Sequence, residues 1–151
     1  MITVLLAALA LTAVTVLIHG LGAVTFGRHV ATRWATLREQ PGRLAGERMI
    51  TLLVSALLVL HLAEALVWAA FLVLLDALPD LETAAYFSLT SYTTLGYGDV
   101  TLPREWRLLG PLEGAAGVLM FGWSTGILAA ALNQVYRRAA PPAGAASGRE
   151  S

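Results

Sequence analysis

The sequence predicts an all-α integral membrane protein: three membrane-crossing helices, plus a short helix and an extended loop that enter the bilayer and leave on the same side. Three observations carry this. Apolar residues make up 57% of the 151-residue chain and charged residues only 13%, against roughly one quarter charged in a soluble domain. Three apolar stretches, 2–26, 49–75 and 107–136, are each long enough, at about 1.5 Å per residue, to cross roughly 30 Å of hydrocarbon. Residues 77–106 are too polar to cross and are broken by Pro79, Gly96, Gly98 and Pro103. Irregular backbone of that kind is tolerated at membrane depth only where protein or water covers it. The length suits one membrane domain. Zero formal net charge leaves no nucleic-acid footprint, and the lack of cysteine excludes disulfides and thiolate metal sites.

Residues 1–27 carry no formal charge. A signal peptide would have a basic start and a shorter apolar core, so this stretch reads as a retained N-terminal transmembrane helix. The linker 28–48 holds Arg28, Arg33, Arg38, Arg43 and Arg48, and the tail 137–151 adds Arg137, Arg138 and Arg149. The hairpin side has only Arg104 and Arg107, among Asp76, Asp80, Glu82, Asp99 and Glu105. Arginine excess marks the cytoplasmic side, so linker and C-terminus face the cytoplasm while N-terminus and hairpin face outward. The linker arginines recur every five residues in a polar segment interrupted by Pro41-Gly42. They read as a solvated orientation signal and not as a voltage sensor. A subordinate reading lays 28–39 along the inner interface as an amphipathic helix. From Ala139 the tail is rich in Ala, Pro, Gly and Ser and reads as disordered.

Within the hairpin, Pro79-Asp80-Leu81-Glu82 is a helix start: Asp80 can cap the N-terminus, and Glu82 sits in the first turn, where the helix dipole favours an anion. A helix over 80–93 follows. Its partly negative C-terminal end points toward the membrane centre, where several such ends together would stabilise a cation. The chain then reads Thr93-Thr94-Leu95-Gly96-Tyr97-Gly98-Asp99. Carbonyls of successive residues in an extended strand point to opposite sides. Aiming them at one axis requires left-handed dihedrals at alternate residues, which glycine adopts at little steric cost. Such a run can line a pore with oxygens that replace the water around a cation.

With a membrane-length segment on each side, this run resembles the selectivity filter of small prokaryotic pore-loop potassium channels. The resemblance covers 49–136 as outer helix 49–75, pore helix 80–93, filter 94–98 and inner helix 107–136. It implies K+ bound by the carbonyls of Thr94, Leu95, Gly96 and Tyr97, with the Thr94 hydroxyl as a further ligand and Gly98 completing the ion-binding segment. Leu95 stands where Val is commoner. Asp99 matches an aspartate that can bond to a pore-helix aromatic, here Tyr86, where Trp is frequent. Thr90 stands where some relatives carry a buried Glu, and Trp106 matches an aromatic at the outer start of the inner helix. Tyr86, Thr90, Thr93, Asp99 and Glu113 form the expected filter support. One filter per chain implies a homotetrameric pore. The implied protein conducts K+ passively across a bacterial plasma membrane. It has no enzymatic activity and no cofactor, K+ being the permeant ion, and its partners are the lipid bilayer and copies of itself, with no nucleic acid. Its rivals are a weakly selective cation channel and a non-conducting regulatory subunit of another channel or transporter.

On the third span, Ala115, Leu119, Gly122, Gly126, Ala130 and Asn133 form one helical stripe that is expected to line the pore, and Gly117 lies close to the family's hinge glycine. Two readings of the glycines stand equal: a gate, or close helix contact, since Gly110/Gly114 and Gly122/Gly126 are both GxxxG pairs. His61 and Glu64 share a face of the second span. Ionisable groups at membrane depth are candidates for function. They read first as hydrogen-bonded groups tying helices together. The sharper reading has Glu113 bracing the hairpin and Glu64 or His61 making opening pH-sensitive. His19 and His29 lack the clustering expected of a metal site. The first helix has no assigned role.

Overall fold

The structure, a computed structural model, describes residues 1–36 and 43–139. Among these the regular elements are all helical: α1 (Ile2–Thr36), α2 (Arg43–Leu74), α3 (Leu81–Tyr92) and α4 (Leu109–Ala139). Three stretches within them, Ile2–Arg28, Gly46–Leu74 and Leu109–Arg137, are long and apolar enough to cross a membrane. The chain is a multi-pass membrane protein.

The helices overrun the boundaries expected from polarity. The basic segment 28–48 is not a free-standing linker: α1 continues to Thr36 and α2 begins at Arg43. Residues 28–36 extend α1 and are not a separate interfacial helix, while 37–42, including Pro41-Gly42, lie outside the described residues. Alanine, leucine and arginine all favour helix, so a helix has no reason to stop where hydrocarbon ends. At 35 residues α1 is about 50 Å long, well beyond one hydrocarbon thickness. Helix α4 likewise takes in 137–139 of the expected tail; the remainder, 140–151, is outside the described residues.

α2 ends in a left-handed cap. Asp76 has φ 52°, the Ala77 N–H bonds back to the Leu72 carbonyl, and the Asp76 N–H bonds to Val73. This satisfies carbonyls that the last turn leaves open. Helix α3 starts as its sequence suggests: Asp80 is the N-cap, extended in backbone, with Oδ1 accepting the Thr83 N–H at 2.8 Å and Oδ2 accepting the Thr83 hydroxyl at 2.9 Å. Those two bonds hold the Asp80 carboxyl below the usual carboxylate range.

α2 packs against each of the other three helices, α1 lies on both α2 and α4, and α4 also packs on α3. The larger core occupies one half of the bundle. Val4, Ala8 and Leu11 of α1 meet Trp68 and Leu72 of α2, Phe87 of α3, and Leu109 and Ala116 of α4. A smaller cluster, Ala65, Tyr92 and Met120, lies around the C-terminal end of α3.

Candidate functional site

Helix α3 stops at Tyr92, and the chain reverses over Thr93 and Thr94. The Thr93 hydroxyl caps the Leu89 carbonyl at 2.6 Å, and the Thr94 N–H bonds to Ser91. The Gly96 N–H reaches back to the Thr90 carbonyl at 3.0 Å, so Thr90 pins the start of the 94–98 segment through its backbone. The Thr90 side chain is turned the other way, bonding to the Phe87 carbonyl.

Three residues of this segment have left-handed backbone: Thr94 (φ 61°), Gly96 (φ 51°) and Gly98 (φ 79°). They alternate with Leu95 and Tyr97. For Gly96 and Gly98 the conformation itself requires glycine, because an added Cβ would meet nothing within 4 Å. Thr94 holds the same conformation with a β-branched side chain, where left-handed backbone costs roughly 1–2 kcal/mol. Strain of this kind concentrates at functional sites. All seven residues from Thr93 to Asp99 are exposed in the single subunit. At the far end, the Tyr86 hydroxyl donates to Asp99 Oδ2 at 2.6 Å, and Asp99 Oδ1 accepts the Val100 N–H at 3.1 Å. The Tyr86 bond is the main cause that holds the Asp99 carboxyl below its ordinary range.

Helix α4 seats the hairpin through glycines. A Cβ at Gly110 would lie 3.1 Å from the Phe87 ring, one at Gly114 3.0 Å from the Ser91 carbonyl oxygen, and one at Gly117 only 2.0 Å from the Tyr92 carbonyl oxygen. Gly117 therefore belongs to the buried face against α3, not to the expected pore-lining stripe. The six residues of that stripe, Ala115, Leu119, Gly122, Gly126, Ala130 and Asn133, are all exposed on one open face. Among the described residues, nothing beyond the helix's own backbone comes within 4 Å of a Cβ at Gly122 or Gly126.

Glu113 is fully buried, as is its neighbour Ser88 on α3. The carboxyl lies beside the Ser88 hydroxyl, on the side of the hairpin that the expected brace would hold, but among the described residues no hydrogen bond of ordinary geometry joins them. A larger polar group lies deeper. His19 Nδ1 is 2.8 Å from Glu64 Oε1, His61 Nδ1 is 3.3 Å from Glu64 Oε2, and the Tyr92 hydroxyl donates to the same Oε2. Ser124 Oγ bridges His61 Nε2 at 3.0 Å and His19 Nε2 at 3.2 Å. The expectation that His19 stands apart is therefore wrong. His19, His61 and Glu64 place ligand-type atoms within 4.8 Å of one another, and all four helices contribute to the group. An ionisable residue inside an apolar span is itself a signal. That signal pointed to His19, but Tyr92 and Ser124 carry none. The side chain of His29 is outside the described residues.

Neither the curated proteins nor the solved structures compared with the chain gave a match. A family model described as "Ion channel" matches residues 48–134, more than half of the chain, covering the whole hairpin and most of the two helices around it. The chain belongs to the ion channel family.

Proposed function

We propose that four copies surround a common axis and conduct potassium passively and selectively. The ions are held by the carbonyls of Thr94, Leu95, Gly96 and Tyr97 and by the Thr94 hydroxyl. The observation that carries this reading is the alternation of left-handed backbone at Thr94, Gly96 and Gly98. That alternation turns successive carbonyls to one side, the arrangement needed to replace a cation's hydration shell. The exposure of 93–99 supports the assembly. Irregular backbone at membrane depth must be covered by protein or line a water-filled path, and three further copies would supply both. A groove of about 800 Å³ between the hairpin and α4 opens beside this segment, with Thr94, Gly96, Gly98, Gly110 and Gly114 in its wall. It is suited to a neighbouring copy.

In this reading 49–136 is the pore domain, and Leu119, Gly122 and Gly126 face the inner cavity. The arginine balance favours the 94–98 segment at the outer mouth, with the 28–48 segment and the C-terminus in the cytoplasm; the resemblance to prokaryotic channels makes the membrane a bacterial plasma membrane. The test is flux from purified protein in liposomes, with potassium and sodium compared by reversal potential. Barium-blocked potassium flux that strongly exceeds sodium flux is expected. Equal permeability would favour a weakly selective cation channel, and no flux from pure protein would favour a non-conducting subunit.

A further inference from the structure

The polar group at the end of α3 draws on every helix. His19 comes from α1, His61 and Glu64 from α2, Tyr92 from α3 and Ser124 from α4. His19, Glu64 and Tyr92 are almost completely inaccessible, and Ser124 is buried. His61 and Ser124 lie near the midpoints of the second and third spans, so the group lies near mid-bilayer.

Six contacts of hydrogen-bond length hold it together, and because two of them share His61 Nδ1 they count as five bonds to be filled. His19 Nδ1 meets Glu64 Oε1, and His19 Nε2 meets Ser124 Oγ. His61 Nε2 meets the same Ser124 Oγ, and His61 Nδ1 lies 3.3 Å from both Glu64 Oε2 and the Tyr92 hydroxyl, which share it. The fifth runs from Tyr92 to Glu64. Each bond needs one proton. With Glu64 ionised, the side chains supply four: one from each neutral imidazole, one from Tyr92 and one from Ser124. Ser124 can donate to only one of the two Nε2 atoms that face it. Whichever tautomer the other ring takes, one of its two nitrogens presents a lone pair to an oxygen, at Ser124 or on the Glu64 side, a costly mismatch away from water.

We propose that this cluster is a proton-binding site, holding one proton beyond those of its neutral side chains and ionised Glu64, and that this proton locks α1 to the end of the pore helix. The fifth proton completes all five bonds. It also brings the formal charge to zero, whether it makes one imidazolium beside the carboxylate or a carboxylic acid beside two neutral rings. Without it the bundle centre carries −1; with a sixth proton it carries +1 and donors face donors. Both are costly in hydrocarbon surroundings. A divalent cation fits less well. One carboxylate would leave it +1, and it would displace bonds already made. The other ionisable group near the cluster is Glu113 of α4, which acts electrostatically on Tyr92. Phe121 and Trp123 set aromatic rings against His61 and His19, and Ala65 and Met120 pack beside Tyr92.

Tyr92 sits two residues before Thr94, so losing the proton would loosen the anchor of the 94–98 segment. That second step rests on the conduction reading above; the proton site does not. The test uses the full chain in liposomes with 15N-labelled histidine and infrared detection of carboxyl groups. At neutral pH we expect either one imidazolium among His19 and His61, or a protonated carboxyl band that Glu64→Gln removes. Two neutral rings beside an ionised Glu64 would overturn the site, as would ring-nitrogen shifts on adding zinc. Potassium flux measured in parallel should fall as the proton leaves, with a midpoint moved by about one pH unit or more in His19→Gln. A pH-independent flux would refute the coupling. Absence of flux at every pH would overturn the conduction reading, and the coupling with it, while the spectra still decide the proton site.

Discussion

Replacing Gly117 with alanine separates a hinge from a packing contact. The added Cβ would lie 2.0 Å from the Tyr92 carbonyl oxygen and 2.9 Å from its carbon. Ordinary non-bonded contacts lie at about 3.5 Å, so the overlap exceeds about 1 Å, and its partner is backbone that cannot rotate away. Overpacking costs roughly 1–3 kcal/mol, and this overlap belongs at the upper end. Alanine returns about 1 kcal/mol through helix propensity. The net is a loss of about 2 kcal/mol per subunit, or a fall in Tm of about 5 °C. The strain falls on the carbonyl two residues before Thr94, so selectivity should drop with stability. The assay is thermal unfolding of purified protein beside Gly27→Ala, whose Cβ would meet nothing within 4 Å and which should melt at or slightly above the wild-type temperature. If Gly117→Ala melts with Gly27→Ala, the close approach of α4 to α3 is wrong, and the glycine serves flexibility alone.

Gly96→Ala places a side chain at φ 51°, at a cost of roughly 1–2 kcal/mol per subunit; reversal potentials should show potassium preference lost while the protein still folds. Tyr86→Phe removes the bond that holds Asp99 low. A depressed carboxyl stabilises the fold above the ordinary carboxylate range and loses that contribution as pH falls through its lowered value. The variant should therefore melt below wild type at neutral pH, with the gap closing in acid as Asp99 takes up its proton, read as Tm against pH. Light scattering on the detergent-solubilised protein should give a protein mass of about 64 kDa, four chains of 16.0 kDa; a monomer or dimer would count against the shared axis.

The hairpin was legible because its chemistry is local. Pro79-Asp80-Leu81-Glu82 announces a capped helix within four residues, and Asp80 caps it. Gly96 and Gly98 announce left-handed backbone, and both adopt it. Thr94 could not be read the same way, because threonine disfavours the conformation that its neighbours impose. Polarity misled at the 28–48 segment: charge marks where a helix leaves hydrocarbon, not where its hydrogen bonds end. Gly117 was ambiguous because periodicity groups residues into faces without saying which face meets which neighbour. The polar cluster was least legible. Glu64 lies 45 residues from His19, and Ser124 lies 105 away, so only the packing of four helices brings them together.

The family match begins at residue 48, yet His19 closes the cluster from outside that boundary. Stripped of α1, the remaining three-helix piece would turn a carboxylate and an imidazole toward acyl chains. Helix α1 thus covers the cluster against lipid, and the smallest unit that can be transplanted into another protein or trimmed for expression starts near the N-terminus, well before the family-matched region begins.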